Sequence, residues 1–306
     1  MTFSRKNSLG WRRSYASPDD FYPGSNETTA RLQALGEPPV SELLQKLGIV
    51  PTAEAGERAD LSGYFSPIED QYSIGSCTAH ATIALAEYFQ RRAFGVYTNL
   101  SRLFLYKTTR NFLGWTGDTG AFMRTALGAL ALFGAPPEEF WPYTPSKYDR
   151  EPSAFVYSMA QNFKAVQYFR LDEPGLMRPD LVDRIRAFIA NGLPVMTGFT
   201  VFASINQSEG FGKGDIPHPA PRERIVGGHG FVLCGYDDNK IITNRARGSQ
   251  PTIGAFRVHN SWGRDWGDEG YGWLPYSYFL AGLADDVWTL IKSDWVDSGQ
   301  FDYQSS

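Results

Sequence analysis

Cysteine is scarce in this sequence, and one of its two thiols stands where a helix is predicted to begin. The 306-residue chain has two Cys and four His. Cys77 follows Gly75 and Ser76 and precedes TAHATIALAEYFQRR, whose apolar spacing predicts a helix. A helix N-terminus stabilises an anion and so lowers the pKa of a thiol placed there. Cys77 is therefore a candidate nucleophile, and a buried inert thiol is the alternative.

A reactive thiol needs a base, and that base needs a group that orients it. His80 lies on the same predicted helix as the thiol, and His218 lies between prolines in a predicted surface loop. His259 is expected to face away from Asn260, because adjacent strand residues point to opposite sides. His229 opens a predicted strand after two glycines, which let a second chain approach closely. We therefore predict His229 as the base and Asn260 as its orienting residue.

Three motifs surround these residues in a fixed order along the chain. DQYSIGSCTAHA places Gln71 six residues before Cys77, and it is followed by GHGFVLCGYDD and then by NSWGRDWGDEGYG. Together they resemble the papain-like cysteine peptidases of the papain/cathepsin type, and the resemblance extends from Leu61 to about Lys292. The third motif is the most specific of the three.

The resemblance implies one catalytic role for each matching residue. Cys77 would be the nucleophile, paired as a thiolate with an imidazolium at His229, and Asn260 would orient that imidazole. The Gln71 side chain and the Cys77 backbone N–H would form the oxyanion hole. Trp262 would shield the Asn–His hydrogen bond from water. These roles imply a cysteine endopeptidase that works through a thioester acyl-enzyme, with no cofactor and no metal.

A glycine-rich strip is implied to bind the substrate. Residues 117–122 resemble the strip on which the family pairs its backbone with an extended protein or peptide substrate. By that resemblance the substrate-binding residues would be Gly120, Ala121, Phe122, Met123 and Gly228. The strip departs from the usual pattern in one respect, since Ala121 replaces its second glycine, and we expect this change to narrow the first subsites.

Two other departures concern disulfides. The family often has cysteines where this chain has Ile74 and Asp118, so the usual bridges are absent. Their absence is in keeping with a reducing compartment and with a bacterial- or archaeal-type member. Cys234, on the predicted strand that His229 opens, is expected to be an inert core thiol.

Helical patterns precede strand patterns along the chain, which predicts an α+β fold. Helices are predicted after Cys77, over Phe122–Phe133 and over Pro179–Asn191, and short strands follow Leu193. The resemblance implies a papain-like two-lobe fold, with a helical left lobe, a β-barrel-like right lobe and the active-site cleft between them. We expect the helical lobe at about 60–160, the β lobe at about 161–295 and a polar tail at 296–306.

The composition excludes several classes of partner. Lys and Arg number 29 against 33 Asp and Glu, a net charge of −4, so neither nucleic acid nor an anionic membrane is expected as a partner. No apolar run reaches the ~18–20 residues that span a bilayer, and no signal-peptide pattern is visible. A cytoplasmic location is the expectation, with leaderless export left open.

Residues 1–59 differ from the rest in their polar, turn-rich composition. Short helices are predicted over Thr28–Leu35 and Ser41–Leu47. The segment is either a permanent packing extension or an atypical pro-segment that acts as an intramolecular inhibitor of a zymogen. Two functional alternatives also stay open: an exopeptidase or other thiol-dependent acyl hydrolase, and a catalytically silent peptide-binding protein.

Overall fold

Helices dominate the first half of the described chain, and antiparallel strands dominate the second. The computed structural model describes residues 8–17, 20–23, 25–34, 39, 42, 44–45, 56–164, 167–209 and 214–291. The helices are α1 Asn26–Ala34, α2 Cys77–Phe94, α3 Arg102–Phe112, α4 Met123–Phe133, α5 Ala154–Ala160, α6 Arg178–Ala190 and the short α7 Ser277–Leu280. The strands are β1 Arg58–Asp60, β2 Gln167–Arg170, β3 Val195–Phe202, β4 Ile225–Ile242, β5 Thr252–His259, β6 Tyr271–Pro275 and β7 Ala284–Ile291. This order confirms the predicted α+β class.

The strands form one antiparallel sheet in the order β2-β7-β3-β4-β5-β6. One edge of β4 pairs first with β3 and then with β1, and its other edge pairs with β5. The expectation of a barrel-like lobe is corrected here, because β2 and β6 are the two ends of the strand order and do not pair. The sheet is open within the residues that the structure describes.

Helix α2 lies at the centre of the molecule. It packs against α3 and α4 on one side and against β4 on the other. Every residue from Cys77 to Phe89 is buried, as expected of a helix enclosed on all sides. The helix ends at Gly95, which has a φ of 72°, and so extends beyond the apolar stretch that predicted it. Its first residue faces the sheet, so the predicted nucleophile lies where helices and strands meet.

Three helices, α3, α5 and the short α7, are absent from the sequence prediction, while the helices near 122–133 and 179–191 are confirmed. Helix α3 carries Arg102, Lys107 and Arg110 at buried positions. Because of these charged residues, its buried face does not show the apolar spacing from which a helix is predicted. The Arg102 guanidinium pairs with the buried Glu87 at 2.8 Å. Of the two N-terminal predictions, the first corresponds to α1, and Ser41–Leu47 falls largely outside the described residues.

Both cysteines are free and buried. Cys234 lies in the middle of β4 with its thiol 3.6 Å from the carbonyl oxygen of Arg257, in keeping with a core thiol. No helix among the residues described in the structure is long and apolar enough to cross a membrane.

Candidate active site

Cys77 begins α2 and is completely inaccessible to solvent. Burial raises the pKa of its thiol to about 11, while backbone hydrogen bonds with Gly230 and Gly10 act in the opposite direction. The thiolate implied by the sequence resemblance is therefore disfavoured in this form of the protein, because no water reaches the sulfur to solvate a charge. Gly230 belongs to β4 and Gly10 to the N-terminal segment, so three parts of the chain meet at this thiol.

His229 and Asn260 are brought together as predicted. His229 Nε2 lies 2.7 Å from Asn260 Oδ1, and the same oxygen accepts the Ser261 backbone N–H at 2.8 Å. Since an oxygen that accepts twice needs two donors, Nε2 carries the proton and Nδ1 keeps its lone pair. Nδ1 is buried and has no hydrogen-bond partner among the described residues. Burial lowers the pKa of His229 to about 4, and the Asn260 hydrogen bond raises it, so the imidazole is a neutral base here.

Trp262 covers the face of the His229 imidazole. Its ring stacks on His229 with centroids 4.2 Å apart and planes 27° apart. Trp266 contacts Trp262 edge-on at 5.5 Å and supports it from behind. This arrangement places a dry, polarisable surface over the His229–Asn260 hydrogen bond, where the sequence resemblance expects a shield.

Gln71 presents its amide nitrogen to the site. Its Oε1 accepts the Ser261 hydroxyl at 2.6 Å, which fixes the orientation of the amide. One Nε2 proton is used by the Ile74 carbonyl oxygen at 3.0 Å. The other is donated to the carbonyl oxygen of Ser8, also at 3.0 Å. The donor predicted for the oxyanion hole is therefore already occupied by a peptide carbonyl from the N-terminal segment.

Residues 8–16, here called the cleft segment, run along the predicted substrate strip. The Trp11 backbone N–H donates to the Gly228 carbonyl oxygen at 3.1 Å. Ala121 donates to Gly10 at 2.9 Å and accepts from Arg12 at 3.0 Å. These bonds make a short parallel ladder in which Trp11 is the partner of Ala121. An extended chain thus occupies the groove by strand addition.

The segment lies closer to the groove than any side chain would allow. A Cβ built on Gly10 would stand 2.0 Å from the carbonyl oxygen of Gly75. On the other side, Gly120 has a φ of 70°, and its Cβ would stand 2.2 Å from the Gly10 carbonyl oxygen. Glycine is required at both positions, because only its absent side chain permits this approach.

Charged groups hold the segment beyond its tryptophan. Arg13 forms an ion pair with Asp285, and the Ser14 hydroxyl donates to Asp286 Oδ1 at 2.8 Å. The buried Arg170 donates to the Ser14 carbonyl oxygen at 3.1 Å. Burial raises the pKa of Asp285 to about 6, and Arg13 lowers it. Because these partners come from β2 and β7, the segment is bound to the sheet as well as to the strip.

The five predicted substrate-binding residues do not all touch the segment. Gly120, Ala121 and Gly228 contact it directly. Met123 is buried at the start of α4, and its Cε lies 2.4 Å from the position a Gly230 Cβ would take. Phe122 instead packs against Trp115, with ring centroids 5.6 Å apart. That indole also lies under the Arg12 guanidinium at 5.3 Å, so Phe122 borders the groove through a neighbour.

Sequence reasoning missed several positioning residues. Tyr143 donates its hydroxyl to the Gln71 carbonyl oxygen at 3.0 Å and shares a 2.7 Å hydrogen bond with Ser76 Oγ. Asp118 Oδ1 accepts the Gly75 backbone N–H at 2.8 Å. It thereby ties the loop before the nucleophile to the substrate strip, where the family often has a disulfide. The sequence showed that Asp118 replaces a cysteine of the family, but this replacement alone does not indicate that its carboxylate accepts a hydrogen bond from the loop before Cys77.

The three other histidines lie outside this constellation. His80 is buried with Nδ1 3.1 Å from the Ser76 carbonyl oxygen, and His259 packs against Phe65 at 4.8 Å. The interpretation of His218 as a surface residue was wrong. It is half-buried, with Nδ1 2.9 Å from Ser277 Oγ, because α7 covers the loop that carries it.

Comparison with known proteins agrees with this geometry. The family model described as papain family cysteine protease matches residues 54–288, so the chain belongs to the papain family of cysteine proteases. It is a cysteine peptidase, a hydrolase, and its fold is papain-like.

Three relatives illustrate the match. A peptidase C1-like protein of Acanthamoeba polyphaga mimivirus is 30% identical over 225 residues, which are 72% of this chain and 68% of that protein. The crystal structure of xylellain, a cysteine protease from Xylella fastidiosa, aligns with a TM-score of 0.71 and 27% identity over 95% of this chain and 98% of that one. Digestive procathepsin L 3 of Tenebrio molitor larval midgut shares the fold with a TM-score of 0.58 at 19% identity, covering 82% and 79% of the two chains.

Proposed function

We propose that this protein is a latent cysteine endopeptidase with a Cys77–His229–Asn260 triad and a thioester acyl-enzyme intermediate. The observation that carries the proposal is the cleft segment, an extended chain that passes the predicted nucleophile with residues on both sides of it. It acts as an intramolecular inhibitor, and the enzyme becomes active when it leaves the groove.

The course of the segment favours cleavage within a chain over removal of terminal residues. Gly10 lies at the thiol, Ser8 precedes it at the Gln71 side chain, and Trp11 follows it at Gly228. An exopeptidase must hold a free terminus close to its nucleophile, whereas this groove accommodates a backbone that continues in both directions. A protein substrate in extended conformation fits the same path.

The chemistry follows from the hydrogen bonds of the triad. With Nε2–H held by Asn260, Nδ1 of His229 takes the thiol proton, and the Cys77 sulfur attacks the substrate carbonyl carbon. The resulting oxyanion is stabilised by Gln71 Nε2–H and the Cys77 backbone N–H. The imidazolium returns its proton to the leaving amine as the C–N bond breaks. Water, deprotonated by His229, then hydrolyses the thioester and frees the thiol.

Latency rests on three obstructions in the same place. The Ser8 carbonyl takes the Gln71 donor, and the segment fills the groove beside Ala121. Burial also leaves the Cys77 thiol and the His229 imidazole uncharged at neutral pH. Removing the segment admits water and substrate together, so it restores both the donor and the ionisation of the pair.

The two alternatives have less support. A catalytically silent binding protein has no need of a polarised imidazole whose Nδ1 is left unpaired in a dry site. A hydrolase of other acyl groups has no need of a groove that forms backbone hydrogen bonds on both edges.

The test uses full-length Trp11→Ala protein, in which the segment is loosened, and a quenched fluorescent peptide blocked at both ends. We expect internal cleavage by this variant and none after Cys77→Ala is added. Activity that survives Cys77→Ala would overturn the mechanism. Release of single terminal residues from unblocked peptides, with blocked peptides left intact, would overturn the endopeptidase assignment.

A further inference from the structure

The structure assigns a side-chain preference to the pocket that Trp11 fills: we propose that it binds a tryptophan of the substrate, with Asp286 as the specificity-determining residue. This inference rests on the proposed peptidase function and deepens it.

Two glycines, which have no side chains, give the pocket its shape. Gly198 on β3 and Gly228 on the neighbouring β4 lie beneath the indole. A Cβ on Gly198 would stand 1.9 Å from Trp11 Cε2, and one on Gly228 would stand 2.7 Å from Cε3. Their backbone angles do not require glycine, since neither has a φ in the left-handed region. The two glycines are needed for space, and the space is a flat slot that matches a bicyclic ring.

Asp286 closes the end of this slot with a hydrogen-bond acceptor. Its Oδ2 accepts the Trp11 Nε1–H at 2.9 Å, and its side chain is fully buried. The residue has a φ of 59° at an irregularity of the β3–β7 pairing. Backbone strain at a non-glycine residue is typical of positions held for a function. Here the irregular backbone aims a carboxylate into the slot.

The two carboxylate oxygens have different partners. Oδ1 accepts Trp288 Nε1–H at 2.7 Å and lies 3.6 Å from the Arg170 guanidinium. These partners remain when the cleft segment leaves. Oδ2 then loses the Trp11 Nε1–H at 2.9 Å and the Ser14 backbone N–H at 3.5 Å, and water can take their place in the open pocket. A ligand that displaces this water without bringing an N–H leaves a buried acceptor unpaired, which is unfavourable, so the pocket favours a ligand with a donor at this point.

Tryptophan meets both conditions better than the other large side chains. Phenylalanine and leucine fill the slot without a donor and leave Oδ2 unpaired. Arginine brings a donor, but it lacks a ring that fills the flat slot, and its guanidinium would approach and repel that of Arg170, which lies 3.6 Å from Asp286 and 2.8 Å from Asp172. Because Trp11 adjoins Gly10, which contacts Cys77, the tryptophan of a substrate would lie within about two residues of the scissile bond. It would follow that bond if the substrate ran in the direction of the cleft segment and precede it if the substrate ran in the opposite direction.

The experiment uses full-length Trp11→Ala protein and two sets of blocked peptides, with Trp, Phe, Leu or Arg second before the scissile bond in one set and directly after it in the other. In one of the two sets we expect kcat/KM for the Trp peptide to exceed each of the others by about tenfold or more, the value of a hydrogen bond to a buried carboxyl group. If an Arg, Phe or Leu peptide is cleaved as fast as the Trp peptide in both sets, the inference is overturned and the peptidase proposal stands. No thiol-dependent cleavage of any peptide is the separate failure of the proposed function.

Binding gives a second readout that does not need catalysis. In full-length protein carrying both Cys77→Ala and Trp11→Ala, calorimetry with N-acetyl-tryptophanamide should detect binding that N-acetyl-phenylalaninamide does not match. Adding Gly198→Ala, which fills the slot, should remove the difference between the two amides. Asp286→Asn tolerates the left-handed backbone and keeps an acceptor oxygen, so it should retain a reduced preference for tryptophan. Equal binding of both amides before these changes overturns the assignment.

Discussion

The carbonyl oxygen of Ser8 accepts a hydrogen bond from Gln71 Nε2 at 3.0 Å, so the chain's own N-terminal segment occupies the donor that we propose for the oxyanion hole. The amide has no freedom to serve both, because its other proton is held by the Ile74 carbonyl oxygen. In the proposed mechanism, the inhibitory segment and the transition state therefore compete for one N–H. The predictions below follow from this competition and from the contacts that surround it.

Trp11→Ala should raise the peptidase activity of the full-length chain by at least about tenfold. The substitution empties a pocket filled by a buried aromatic ring and removes its hydrogen bond to Asp286; losing a packed aromatic costs ~3–5 kcal/mol. The measurement is the initial rate on a blocked fluorogenic peptide. Tyr15→Ala is the matched control, since that ring belongs to the same segment and is 76% exposed. Equal rates for Trp11→Ala and wild type would show that the segment does not restrain the enzyme.

Gln71→Ala, made in the Trp11→Ala chain, should lower kcat by ~10²–10³-fold, as expected for loss of one oxyanion donor. KM should change little, because this donor acts on charge that develops only in the transition state. Ser261→Ala should lower kcat less, since the Ser261 hydroxyl orients the Gln71 amide at 2.6 Å without touching substrate. Steady-state kinetics separates the two parameters. A rise in KM at constant kcat would contradict this role.

Alkylation of Cys77 should be slow at neutral pH and should accelerate as the pH approaches about 11. Only the thiolate reacts, and burial raises its pKa from 9.0. Relative to the unfolded chain, in which an exposed thiol has a pKa of 9.0, the folded protein holds the Cys77 proton more tightly, so the stability linked to this thiol is fully present below pH 9.0 and is lost as the pH rises to about 11. Mass spectrometry of the Cys77 adduct against pH measures this. Cys77 of the Trp11→Ala chain should react faster at neutral pH. The same dependence of alkylation rate on pH in the wild type and in Trp11→Ala would contradict the proposal that the cleft segment covers Cys77.

Asp118→Ala should destabilise the protein by ~2 kcal/mol, because it removes two hydrogen bonds whose usual net value is ~1 kcal/mol each. The side chain accepts the Gly75 N–H at 2.8 Å and the Tyr106 hydroxyl at 2.5 Å. Asp118→Asn keeps an acceptor oxygen and is the conservative control. Urea unfolding of the three proteins provides the comparison. A loss in Asp118→Asn as large as in Asp118→Ala would assign the effect to charge and not to this hydrogen bond.

The candidate residues Cys77, His229, Asn260 and Gln71 could be proposed from the sequence because each lies in a short motif with a chemical reason for its residue types, and the structure pairs His229 with Asn260. The α+β class could also be predicted, since the spacing of apolar residues changes from helical to alternating after Leu193. Helix α3 could not be predicted, because its buried arginines pair with carboxylates distant in sequence, as Arg102 does with Glu87 at 2.8 Å.

The binding of the cleft segment in the groove could not be predicted from the sequence for a different reason. Its residues have no helix or strand period, and every contact that fixes Trp11 is with residues more than a hundred positions away, such as Asp286 at a separation of 275. Asp286 itself interrupts the strand alternation of β7 by its irregular backbone. A single sequence therefore allowed an inhibitor to be suggested for residues 1–59 without indicating which side chain would anchor it.

The slot beneath Trp11 has a kinetic consequence for any incoming peptide. A ligand tethered to its own receptor acts as if present at millimolar concentration, so a free substrate with the same side chain is at a permanent disadvantage. A substitution that strengthens binding of a substrate tryptophan in the slot also strengthens binding of Trp11 of the cleft segment. The substrate preference of the enzyme and the free energy needed to release the cleft segment therefore depend on the same atoms, so a mutation that changes one also changes the other.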